Sequence, residues 1–130
     1  MSIRTRLTMV RNMYDGLFAS SRFYRWTTFF SLFLLGGMIF LPISRLMPVI
    51  QGNAFIPLHY NIFFGVDRFG PWEEIFIIPI VGACLLVVNL IFGGLFFAHE
   101  RILASFFVVA TFLAEMILFV SMIFVILLNV

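Results

Sequence analysis

Charge is scarce in this chain: Asp, Glu, Lys and Arg make up 11% of its 130 residues, and lysine is absent altogether. A soluble domain of ordinary composition carries about a quarter charged residues, so this chain has no surface to present to water. There is one cysteine, Cys84, which excludes an intrachain disulfide and a thiolate cluster; inside an apolar run it reads as a small packing residue. The two histidines, His59 and His99, lie far apart, and no nucleophile elbow of the form Gly-x-Ser-x-Gly and no glycine-rich nucleotide loop is present. A metal centre wants three or four ligands, and a catalytic triad wants a base beside its nucleophile; neither is written here. We therefore expect a non-enzymatic protein with no metal and no cofactor.

What fills the space is hydrocarbon. Hydrophobic residues make up 63%, and mean hydropathy is +1.15. Three apolar runs, Thr27–Ser44, Ile75–Ala98 and Ile102–Val130, count 18, 24 and 29 residues, and only Glu115 interrupts them with a charge. About 20 apolar residues cross a bilayer core as a helix, so each run is a candidate span. The expected fold is all-α and integral to a membrane: residues 1–25 an amphipathic interfacial helix, 27–44, 75–98 and 102–130 the spans, and 46–74 an external connection. The 25-residue leader, with Pro42, Arg45 and Pro48 following the first run where a cleavage site would want small residues, favours an anchor over a cleaved signal peptide.

Topology accounts for the basic residues better than an acidic partner such as nucleic acid. Arg4, Arg6, Arg11, Arg22 and Arg25 precede the first span and Arg101 separates the last two, against Arg45 and Arg68 on the other side. That bias predicts a cytoplasmic N-terminus and an external C-terminus. At 100° per residue, Ile3, Leu7, Val10, Tyr14, Leu17 and Phe18 form one stripe flanked by arginines, as expected of a helix lying on anionic lipid. Ser20 and Ser21 mark its break from the first span.

Small residues mark where helices meet. Gly36 and Gly37 allow close approach on the first span; Gly82, Asn89 and Gly93 share a face of the second, and Ala110, Ala114 and Ser121 a face of the third. The tight turn His99-Glu100-Arg101 predicts an antiparallel hairpin of the last two. Glu115 falls near mid-bilayer, where an isolated carboxylate is costly to hold charged; Thr111, one turn away, or Asn89 on the second span is the expected hydrogen-bond partner. These three form the candidate intramembrane site.

The external connection is too aromatic for an ordinary loop. Five aromatics between Tyr60 and Trp72 call for burial in the headgroup layer or against the tops of the spans, and a short helix over 60–64 ended by Gly65 is expected. His59, Asp67, Arg68 and Trp72 are its candidate site. Leu58-His59-Tyr60-Asn61, then Gly65-Val66-Asp67, then Gly70 and Trp72, followed by a span carrying Asn89, resembles a pattern in small bacterial membrane proteins with three spans and no assigned function. The resemblance covers residues 57–130 and implies a multi-pass protein of the bacterial inner membrane.

Three spans enclose little, so pore or cavity functions imply an oligomer. The expected role is a membrane subunit or assembly scaffold in contact with lipids and with other membrane proteins or further copies of itself. One alternative is a small oligomeric channel or proton-coupled transporter using Glu115. Another is a lipid-modifying enzyme using His59 and Asp67.

Overall fold

The computed structural model describes residues 3–50, 55–97 and 99–130 and, within the first helix, the side chains of all but residues 6, 7, 10, 13 and 16–20. Helix α1 spans Ile3–Ser20 and α2 spans Arg22–Leu41. Between them Ser21 adopts an extended conformation, and its hydroxyl accepts from the Tyr24 amide at 3.2 Å, the N-cap that the serine pair announces. Of the stripe on α1, Leu7, Val10, Leu17 and Phe18 lie outside the described side chains. Tyr14 is turned inward, its hydroxyl donating to the Leu90 carbonyl at 3.2 Å, while Ile3 is exposed.

Among the described residues, three helical segments are long and apolar enough to cross a membrane: Arg22–Ile50, Trp72–Phe97 and Arg101–Leu127. The first is longer than the expected 27–44. Pro42 lacks an amide proton and would break an α-helical ladder, yet the chain widens into a π-helical turn over Pro42–Leu46, with Met47 N donating to Pro42 O, and continues as α3, Met47–Ile50. The helix thus carries Arg45 and Pro48 instead of ending before them. The second span opens with a 3-10 turn, Trp72–Phe76, holding Glu73 and Glu74 at its positive end, and becomes α4, Ile77–Phe97. After the turn at His99 and Glu100, α5 runs from Arg101 to Leu127 and packs antiparallel on α4, as expected. At 1.5 Å per residue α5 is about 40 Å long, more than a hydrocarbon core of about 30 Å.

The connection between the first two spans overturns an expectation. Residues 60–64 form no helix: Phe55–Asn61 (β1) and Gly65–Pro71 (β2) pair as an antiparallel hairpin, a small sheet added to a fold that is otherwise helical among the described residues. The turn is built by two residues. Asn61 Oδ1 accepts from the Phe63 amide at 2.9 Å, and Gly65 takes φ of +75°, a conformation that penalises any side chain. The aromatics are not what the hairpin buries against the helices. Ile56 is buried and Leu58 packs on the core, whereas Ile62, Phe63 and Phe64 at the tip are 82–86% exposed.

The bundle has three layers. At the hairpin end, Met38, Leu46, Ile75, Met122, Val125 and Ile126 form an apolar cluster; at the other end Tyr24 and Val108 pack with Leu90 and Phe97. Polar side chains lie between. Cys84, expected to pack, instead faces outward.

Asn129 ties the hairpin to the bundle, its amide donating to Pro57 O at 2.8 Å and to Val125 O at 2.7 Å. Replacing Asn129 with Ala removes both bonds, about 1 kcal/mol each, without touching the helices. Amide exchange across β1 and β2 should then accelerate several-fold while α4 and α5 keep their protection; equal acceleration throughout would mean that the tether holds the bundle and not the hairpin.

Candidate functional site

Glu115 sits at the middle of α5, about 21 Å along the axis from Arg101, and is 0% exposed. It is enclosed because α4 has no side chain opposite it: a Cβ built on Gly82 would lie 2.9 Å from Glu115 Oε2 and 3.2 Å from Met38 Cε. Glycine here makes room for a carboxyl group at a helix crossing. Neither carboxyl oxygen has a hydrogen-bond partner among the described residues. Burial of this kind is tolerable for a neutral acid and severe for an anion.

The expected partners bond to each other. Asn89 Nδ2 donates to Thr111 Oγ1 at 2.8 Å, and the Thr111 hydroxyl donates to its own helix at Phe107 O, also 2.8 Å. Thr111 therefore spends its proton one turn back on the backbone, the usual habit of a helical threonine, and is left as an acceptor that suits an amide. The Thr28 and Ser31 hydroxyls of α2 are also buried and unpartnered among the described residues. Together with Tyr24, Asn89 and Thr111 they line a cavity of about 10 Å³, room for roughly one water. Among the described residues, no lumen is present in this layer.

Most of the glycine seam is consumed within the chain. A Cβ on Gly37 would meet the Phe119 ring at 2.8 Å, Gly93 is covered by Tyr24, and Gly94 by the Tyr14 ring at 2.7 Å. Gly94 was not among the expected packing positions; its signal was adjacency to Gly93, which doubles the bare patch for two tyrosines. Partial burial there pushes the Tyr14 phenol above its ordinary value. Ala110 is exposed and Ala114 half-buried, so the alanine seam of α5 is only partly used. Gly36 differs from the other described glycines of the helices: nothing lies within 4 Å of its Cβ position.

The external candidates divide into two pairs. His59 Nδ1 is 2.6 Å from Asp67 Oδ1 across the hairpin, and Arg68 Nη2 donates to Glu74 at 2.7 Å, which pins β2 to the start of the second span. Trp72 packs edge-on against Phe76, with ring centroids 6.3 Å apart. Among the described residues no three His, Cys, Asp or Glu side chains gather as metal ligands.

Compared with known protein families, with curated proteins and with solved structures, the chain matches none.

Because the Gly82 notch and the Glu115 carboxyl occupy each other's space, Gly82→Ala should destabilise the bundle by about 1–3 kcal/mol. Glu115→Gln, of equal size and uncharged, should change it little. Thermal unfolding in detergent of the two variants side by side checks this; a larger loss from Glu115→Gln would show that the carboxyl is held by a bond that glutamine cannot make.

Proposed function

We propose that this chain is a non-enzymatic membrane subunit or scaffold that docks a helix of another membrane protein on the face of α2 around Gly36. The observation that carries the reading is the empty space over Gly36. A glycine inside a helix costs about 0.5–1 kcal/mol relative to alanine, and the other helical glycines described here offset that by close contacts within the chain. Gly36 has no such contact. Phe29, Phe33, Phe40 and Ile43, at alternating spacings of four and three residues around it, are exposed and frame the notch.

This spacing is that of a helix seam which receives knobs from a partner. A second copy crossing at the same point would set notch against notch, and Phe33 and Phe40 on both helices would hold the backbones apart. A protruding side chain on a different helix fits better. The arginine bias supports an N-terminus inside and a hairpin outside, and the proposal sets the chain in a bacterial inner membrane, as the resemblance implies.

Purification in mild detergent from the native membrane tests the reading. The wild-type chain should carry a second membrane protein in fixed stoichiometry; Gly36→Leu, which fills the notch without a clash inside the chain, should lose it while the thermal unfolding of the chain stays the same. Wild-type chain that emerges alone, or a Gly36→Leu variant that keeps its partner, contradicts the proposal.

One observation favours a second reading. The Glu115 carboxyl, without a partner among the described residues, together with the buried Thr28 and Ser31 hydroxyls, has the chemistry of a proton-binding site in an oligomeric transporter. On that reading proton flux into vesicles containing the chain is abolished by Glu115→Gln; on the subunit reading there is no flux to abolish.

A further inference from the structure

A cleft of about 640 Å³ opens between β1 and the outward flank of α5. Its helix wall carries Ile117, Val120, Ser121 and Phe124, and its strand wall carries Leu58, His59 and Tyr60. Three consecutive strand residues do not ordinarily line one surface, because side chains alternate across a strand. Here the pairing slips between Pro57 and His59 and again between His59 and Tyr60, an irregularity that breaks the alternation, and all three residues border the cleft. From its tether on Asn129 the strand runs back alongside the helix, so that Ile62 near the tip borders the same cleft as Ile117, about 15 Å in from Leu127 along the helix axis.

We propose that this cleft is a lipid site, holding one acyl chain of a phospholipid from the leaflet at the hairpin end, with the ester and headgroup region beside His59 and Tyr60. The helix wall belongs to a membrane-crossing segment, and Ile117, Val120 and Phe124 are exposed on it, so hydrocarbon is the medium already in contact with it. The hairpin overhangs that flank and converts it into a groove. Spread over about 15 Å of helix, the volume gives a cross-section of roughly 40 Å², enough for a hydrocarbon chain and too little for an α-helix about 10 Å across. The size lies within the range of about 300–1,000 Å³ typical of small-molecule sites, and the lining follows their pattern of apolar walls with a few polar groups at one end. The exposed tip, Ile62-Phe63-Phe64, has the composition to enter the same leaflet and close the groove from the lipid side. The site lies on α5 and stands apart from the docking face on α2, so the two proposals fail independently.

The test uses the full chain in vesicles made of equal parts dioleoyl phosphatidylethanolamine and dioleoyl phosphatidylglycerol, extracted in detergent, washed and weighed intact by native mass spectrometry. The wild-type chain should retain one phospholipid. Val120→Trp fills the groove from its helix wall and should cut retention about tenfold, equivalent to about 1.4 kcal/mol, and Ser121→Phe should do the same from the adjacent position. Leu113→Trp, on an exposed position of α5 outside the cleft, should retain lipid as the wild type does. A wild-type chain that carries only detergent, or retention that Val120→Trp and Leu113→Trp affect equally, overturns the assignment.

Discussion

A bilayer interior offers no water, so any polar group taken into it must be satisfied inside the protein or held neutral. In this chain that constraint converges on the crossing of α4 and α5. Glu115 is accommodated because Gly82 leaves a hollow opposite it, and Asn89 is accommodated because Thr111 presents a lone pair. The polar layer also sets the packing around it: apolar clusters lie on either side, and the carboxyl fills the hollow that glycine leaves. With a side chain at position 82, the Glu115 carboxyl and the Met38 methyl would have to move aside.

The hairpin obeys the same constraint from outside. A two-stranded sheet keeps a free edge on each strand, which hydrocarbon does not tolerate, and this one is held at its base by polar contacts at the ends of the spans. Asn129 clamps Pro57 to the end of α5, and Arg68 reaches Glu74 at the head of the second span. The tip is left free to carry exposed aliphatic and aromatic side chains, a costly arrangement in water and an ordinary one at a lipid surface.

Hydropathy made the spans legible, since composition alone decides what a bilayer accepts, and the α4–α5 hairpin followed from its short polar turn. The hairpin between the first two spans was not. Pro57 argues against a strand, the bulge at Leu58–His59 spoils the period of two, and the aromatics that pointed to burial turn outward. The signals that were present are Asn61, which caps the turn, and Gly65, whose left-handed backbone closes it. At the polar site, the shared face could be read from the sequence, because Thr111 and Glu115 are one turn apart. The partner of Asn89 could not, because the choice depends on which way a threonine proton points. Likewise, no sequence feature separates Gly37, covered by Phe119, from its neighbour Gly36, which is open; the difference is a rotation of 100° about one helix.

The central claim is that the open notch on α2 is a contact surface. Its most direct test is an aromatic photocrosslinking side chain introduced in place of Phe33, on the exposed rim of the notch, and activated in the native membrane, followed by identification of what it captures. The account predicts one defined membrane protein, attached through a transmembrane segment. Capture of lipid alone, or of many unrelated proteins in proportion to their abundance, would contradict it.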